Sequence, residues 1–477
     1  MPEHILAIDA GTTSVRALVI DAAGRVVARA GERYELTYPA PARVEQDADV
    51  LWQKTQAAIR TALGAARLTA ADIAGIGVAA QRASIIVWER SSGRAVAPLV
   101  SWQDMRGAAR AQELLAHGFL VLPQTCASKL EAVIDAISDG RARMKRGELV
   151  WGNVESFLIA RLSGAHVTDA SQACVTGYYD YGGGTWIEPL IAYQGLVPLF
   201  FPRLVDTAGT AAETRPEIFG AKVPIAAIVA DQQSALLGGS EVAPGCGKIT
   251  LGTSGTLDIA TGGEILMTAT AFPLVLDRTR GQSRFCIEGM VITAGALLDW
   301  LADGMGLAKD VAAVCALAAQ AADAGGVALL PALQGLGTPH ANPARRGLLN
   351  GLSRATTKAH IARAGLEGIA FRLREITEHI YQETPLPRPA AFRIDGGAAE
   401  SDLLVQMIAD VTGIALERPA ERQATALGAA ILAGQALGVF DVKALAHLRR
   451  IDRVFEPLWS QDERMSRYEA WVAAVAR

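Results

Sequence analysis

One layout occurs twice in this chain, and it constrains the fold more than any other feature. Residues 5–30, ILAIDAGTTSVRALVIDAAGRVVARA, run from an apolar stretch (5–8) through Gly-Thr-Thr-Ser into a second (15–20). After Ala22-Ala23-Gly24, a third follows at 26–30. Short apolar runs bounded by such turns read as strands. Residues 248–263, KITLGTSGTLDIATGG, repeat the plan of strand, Gly-Thr-Ser-Gly-Thr turn and strand. Two such hairpins imply two similar halves, each presenting a turn to a shared cleft. In the first turn Gly11 permits tight bending, while Thr12, Thr13 and Ser14 offer hydroxyls and backbone N–H groups that suit phosphate. Asp9, at the strand end, suits Mg²⁺ held through water. The same residues also read as an ordinary hairpin with a polar turn.

The bulk properties narrow the class. A length of 477 residues predicts two or three domains with sizeable cores. A net charge of −4, with residues 141–146 as a mere basic helix turn, argues against a nucleic-acid scaffold. No apolar run approaches the length needed to span a membrane, and Met-Pro-Glu-His does not begin a signal peptide. The five cysteines are scattered, which fits reduced core residues better than disulfides or metal ligands. Together these features predict a cytoplasmic enzyme.

Strands at 74–80, 85–88 and 223–229, with a helix at 107–116, make the pattern α/β. Residues 392–413, FRIDGGAAESDLLVQMIADVTG, read as strand 392–394, a glycine turn at 395–397 and helix 401–411. In this helix Leu403, Leu404, Met407 and Ile408 share one face. Glycines at such a turn let a ligand approach the backbone and the helix N-terminus. They also serve simple packing in a βα turn. GIGVAA at 75–80 fits a dinucleotide pattern but lies inside a strand and opens no helix, and Gly247-Lys248 is followed by Ile249, so no P-loop is present.

In VPIAAIVADQQSALLGG, 223–239, an apolar strand ends at Asp231-Gln232-Gln233 and a small-residue helix begins. An acid there points into the crevice where α/β sheets bind ligands. Asp is equally a preferred helix N-cap. Its place between the two halves favours catalysis.

At this point the chain resembles the FGGY family of carbohydrate kinases, on its glycerol-kinase-like branch. The likeness runs from residue 5 to about residue 440. It is carried by AIDAGTTSVRALVID, AAQRASIIVWE, SWQDMRG, VTDASQA, ADQQSALLG, LGTSGT, RIDGGAAESDLL and RPAERQATALGAAILAG. Residues 347–371 are similar to the family's second signature, with Gly365 where Ala, Ser or Thr is usual. In the first signature Ala132 replaces Trp. The resemblance implies a two-domain actin-like (ribonuclease H-like) fold, divided at 1–242 and 243–477, with ATP, Mg²⁺ and a small sugar or polyol in the interdomain cleft. It implies Asp9 and Asp231 near Mg²⁺, and phosphates at Gly11, Thr12, Thr13, Ser14, Gly252 and Thr253. It places adenosine beside Gly295, Ala296, Gly397, Ala398 and Ser401, the last standing where glycerol kinases often have Asn. Asp231 matches the family's general base, and homodimers or homotetramers are common among such relatives.

For the substrate, glycerol kinases surround the triol with Arg, Glu, Trp, Tyr and Phe. Here Arg82, Trp102, Asp231 and Gln232 match, whereas Ala83, Gln124 and Thr256 replace Glu, Tyr and Phe. The exchange widens the pocket and makes it more polar, which points to a polyol or ketose larger than glycerol. Glycerol itself is the alternative. A non-kinase actin-like ATPase or ligand-sensing regulator is the reading from another class; the retained Asp231 speaks against it. Residues 441–477 read as one amphipathic helix packing back on the fold.

Overall fold

The computed structural model describes residues 2–239 and 242–476. The chain forms two compact units. Unit 1 comprises Met1–Gly238, Val275–Arg284 and Gln423–Leu448; unit 2 comprises Gly239–Leu274, Phe285–Arg422 and Arg449–Arg477.

Unit 1 is built on six strands: β1 (His4–Ala10), β2 (Ser14–Ile20), β3 (Val26–Arg33), β4 (Ile73–Ala80), β5 (Ala208–Glu213) and β6 (Pro224–Ala230). Their order is β5–β6–β4–β1–β2–β3. The hairpin β1–β2 is antiparallel, with Ala10 opposite Val15, and β4 and β6 run parallel to β1 on its other side. β1, β4 and β6 are buried along almost their whole length, as the continuous apolar runs of parallel strands require. Helix Ala424–Ala436 packs on β1, β4 and β6. A Cβ at Gly77 would collide with the carbonyl oxygen of Ala429. The GIGVAA glycines are therefore packing residues that let a helix lie close on the sheet.

The second sheet repeats the plan; it belongs to unit 2 except for residues 275–284 of its edge hairpin, which count with unit 1. Its strands are β7 (Gly247–Leu251), β8 (Gly255–Gly262), β9 (Phe272–Thr279), β10 (Gln282–Val291), β11 (Ala391–Asp395), β12 (Ala415–Pro419) and β13 (Ile451–Phe455). The order is β9–β10–β8–β7–β11–β12–β13. The antiparallel run β10–β8–β7 corresponds to β3–β2–β1. The parallel run β7–β11–β12 corresponds to β1–β4–β6, and antiparallel β13 occupies the place of β5. The duplicated hairpin is thus part of a duplicated sheet. The long helix Lys358–Glu383, capped by the Thr357 hydroxyl, and helix Asp402–Thr412 cover this second sheet's core.

One expectation changes here. Residues 441–477 form a helix (Val442–Leu448), strand β13 and a second helix (Gln461–Val475), not one helix. The strand completes the sheet edge beside β12, so tertiary pairing overrides the amphipathic pattern. Gly365, the departure from the second signature, sits where a Cβ would press on Leu301 Cδ1, so its small size serves helix packing. All five cysteines are free; Cys126, Cys174 and Cys286 are buried, and Cys246 and Cys315 are half-buried. Among the described residues no helix is long and apolar enough to cross a membrane.

Candidate active site

In unit 1 the turn between β1 and β2 is fastened from behind. Tyr34 Oη donates to the carbonyl of Gly11, Gln46 Nε2 to that of Thr12 at 2.7 Å, and Trp102 Nε1 to Thr12 Oγ1 at 3.1 Å. These bonds take oxygens of the turn, not the N–H donors an anion needs. Gly11 does not have the positive φ that would make glycine a backbone requirement, and a Cβ there would meet only Ser14 O at 3.5 Å. Gly11 permits the turn, as expected of a glycine, without the backbone requiring one. The fold has room for a side chain here.

Asp9 is buried, and burial raises its pKa to about 7. The Arg16 guanidinium, 3.5 Å away, acts against that rise, and the negative charge of Asp231 adds to it. Two carboxylates that disfavour each other's charge suit a hard cation, which takes oxygen ligands. Among the described residues no group of three or more His, Cys, Asp or Glu forms a protein cage. That donor set fits Mg²⁺, which is usually held by one or two carboxylates together with substrate phosphates.

Asp231 is the first residue of helix Asp231–Gly239, directly after β6. Its Oδ1 accepts the Gln232 N–H at 2.8 Å and lies 3.4 Å from Arg82 Nε. The carboxylate accepts the N–H of the next residue in the first turn of the helix, faces a cation from β4's end, and its side chain keeps 24% exposure. Behind it, Ser171 Oγ accepts the Ala230 N–H at 2.8 Å and donates to buried Asp169 at 3.0 Å. Arg82 also approaches Gln233 Oε1 at 3.5 Å.

The remaining candidate residues of unit 1 gather along this edge. Ala83 is buried with φ 53°, an unusual conformation for a residue with a Cβ. Ser84 Oγ accepts the Trp102 N–H at 3.2 Å, and the same indole reaches Thr12. Gln124 is exposed in the loop before the short helical turn Cys126–Ser128. Ala132 is exposed on helix Leu130–Asp135, so the lost Trp of the first signature leaves no gap in the core.

Unit 2 carries the second turn. Gly252 also lacks positive φ, and a Cβ there would find only Ser254 O at 3.8 Å; Thr253 is exposed. Gly295 differs: its N–H donates to Gly252 O at 3.0 Å, and a Cβ would strike that carbonyl, so it is needed for packing. Ala296 N–H donates to Thr253 O at 3.0 Å, which ties the start of helix Gly295–Asp299 to the turn. Gly396, at φ 93°, abuts the Leu251 backbone, whereas a Cβ on exposed Gly397 would meet nothing within 4 Å. Ala398 is buried beside it. Ser401 caps helix Asp402–Thr412, its Oγ accepting the Leu404 N–H at 3.3 Å. Thr256 is buried in β8, opposite Thr250 and Met290.

The sequence reading missed Tyr34, Gln46, Ser84, Lys129, Asp169, Ser171 and Gln233. Asp169 and Ser171 lie in VTDASQA, a stretch quoted above without a role.

Comparison with known proteins shows the family. Residues 4–238 match the N-terminal domain, and residues 247–437 the C-terminal domain, of the FGGY family of carbohydrate kinases. The chain is 40% identical over 489 residues to a glycerol kinase of Aromatoleum aromaticum, covering 99% of this chain and 98% of that one. The crystal structure of Plasmodium falciparum glycerol kinase with ADP superposes with a TM-score of 0.91 at 25% identity, covering 99% of this chain and 98% of that one. A xylulose kinase from Rhodospirillum rubrum shares the fold, with a TM-score of 0.82 at 23% identity, covering 99% and 98%.

Proposed function

The chain belongs to the FGGY family of carbohydrate kinases, an actin-like two-domain fold whose members use ATP to phosphorylate small sugars or polyols, and from that premise we propose that Asp231 is its general base. The observation that carries this is the seat of Asp231: the C-terminal end of a parallel strand, partly exposed, with one carboxylate oxygen held by the Gln232 N–H and facing Arg82. Phosphoryl transfer asks the protein to position groups and stabilise charge, and an acid beside the attacking hydroxyl accepts its proton late. Arg82 orients that carboxylate. Asp231 takes the proton from the substrate hydroxyl at Oδ1 or Oδ2. The N–H groups of Thr12 and Thr13 in the first turn hold nucleotide phosphates, the Gly11 N–H being spent on Ser14 O at 3.0 Å; the Gly252–Thr253 turn repeats this layout. Gly397 leaves room for the adenosine. Asp9 and Asp231 would hold Mg²⁺, which neutralises charge developing on the phosphoryl oxygens.

On substrate, two readings have separate support. Ala83, Gln124 and Thr256 stand where glycerol kinases carry Glu, Tyr and Phe. This favours a polyol or ketose of four or five carbons, with Arg82, Trp102 and Asp231 holding the end that is phosphorylated. The Aromatoleum relative named glycerol kinase, at 40% identity, favours glycerol. The deciding measurement is kcat/KM for glycerol, the tetritols, pentitols and ketopentoses under one set of conditions. The first reading expects a larger substrate to exceed glycerol by about tenfold, the scale on which a mismatched pocket discriminates. Glycerol ahead by the same margin makes this a divergent glycerol kinase.

A further inference from the structure

Lys129 directly precedes helix Leu130–Asp135, and its side chain is completely buried. Burying an ammonium costs its hydration and normally calls for a carboxylate partner. Here the acceptors are neutral: Nζ donates to the carbonyl of Ser101 at 3.1 Å and to that of Gln124 at 3.0 Å. Asp104, whose charge acts on Lys129, is itself paired with Arg106 at 2.8 Å. So costly an arrangement needs a return, and the two carbonyls show where it lies. They belong to separate loops, one carrying Trp102 and the other Gln124. Trp102 is held by Ser84 at its backbone and by Thr12 at its indole. Lys129 adds a third point of attachment and extends it to the Gln124 loop.

We propose that Lys129 is a positioning residue for the substrate: its ammonium clamps the carbonyls of Ser101 and Gln124 and so sets the distance between Trp102 and Gln124. This rests on the reading that those two side chains line the polyol slot. The clamp acts on substrate geometry; the phosphate turn, which the Trp102 indole also touches, keeps two fasteners outside the clamp, Tyr34 and Gln46. Burial also pulls the Lys129 pKa down to about 8, against the charges of Cys126 and Asp104, with Arg106 adding to the fall. The clamp therefore loses its charge, and with it part of its strength, above that pH.

The experiment uses the polyol turned over best in the panel. K129M is expected to raise the polyol KM about tenfold or more, the scale of one hydrogen bond from a charged donor. The ATP KM should stay within about twofold. An unchanged polyol KM, or equal changes in both KM values together with lost thermal stability, overturns the clamp. W102F and Q124A are run beside it. If they leave the polyol KM unchanged, the slot reading itself fails; if they raise it while K129M does not, only the clamp fails. Should K129M not fold, the parent enzyme decides. Its polyol KM, measured at saturating ATP and Mg²⁺, should rise about threefold or more from pH 7 to 9.5, and a flat polyol KM overturns the proposal. The other groups facing Lys129 keep their charge state across that range: burial holds the Cys126 thiol up near 12, Arg106 is raised, and Asp104 is lowered by Arg106 despite its burial.

Discussion

Asp231 begins a helix, and in the reading proposed above it also serves chemistry. A carboxylate used only to cap the helix would be satisfied by backbone N–H groups, and the Gln232 N–H does part of this at 2.8 Å. Arg82, 3.4 Å from the same oxygen, adds nothing a cap requires, but it fixes a base in one orientation. The Asp231→Asn variant separates the roles. An amide keeps an oxygen for the Gln232 N–H yet cannot accept the substrate proton. Substrate-dependent ADP release should fall by about 10²–10⁴-fold, the usual cost of losing a positioned base. Nucleotide affinity, measured by calorimetry, should persist. Near-normal turnover in the variant would assign Asp231 to the helix alone.

At the scale of elements, the two hairpins sort their glycines into two kinds. Gly295 and Gly396 press on backbone atoms of the turn region in unit 2, so an added methyl has no room. Gly11 and Gly252 have room and ordinary backbone angles, yet carry no side chain. Gly295→Ala and Gly396→Ala are expected to lose stability by about 1–3 kcal/mol, as overpacked sites do. Gly11→Ala and Gly252→Ala should keep the parent's Tm and raise the ATP KM. Thermal melts and initial rates on all four variants check this, and a lowered Tm with unchanged ATP kinetics at Gly11 and Gly252 would return both glycines to a purely structural role. The hairpins were legible in the sequence because strand, turn and strand are consecutive, and the position of Asp231 at a strand end was legible for the same reason. The fasteners were not. Tyr34 and Gln46 reach the first turn from 23 and 34 residues away, and Lys129 spans 28 residues to Ser101. Nothing local distinguishes a lysine that clamps two carbonyls from one in solvent. The C-terminal strand β13 was hidden for a related reason, since its partner β12 lies beyond two intervening helices in the chain.

The whole molecule repeats one six-strand plan, but its first unit is not one continuous segment. Its sheet is complete by residue 230, and the helix that packs on β1, β4 and β6 comes from residues 424–436. That helix is buried on nearly every side, including Leu427, Ile431 and Leu432. Burying those three side chains is worth about 1.5–3 kcal/mol each, against a total stability of about 5–15 kcal/mol for a typical domain. Gly77, bare so that the helix backbone can approach, would leave a groove in the sheet without it. Unit 1 therefore cannot close until most of the chain has been synthesised. A fragment of residues 1–242 is expected to bind a hydrophobic dye and to melt without a sharp transition. Joining residues 423–448 to it through a flexible linker should restore a cooperative melt and reduce dye binding. A fragment of residues 1–242 that melts as sharply as the joined form would show that the returning helix is accessory to the unit and that the sheet's other cover suffices.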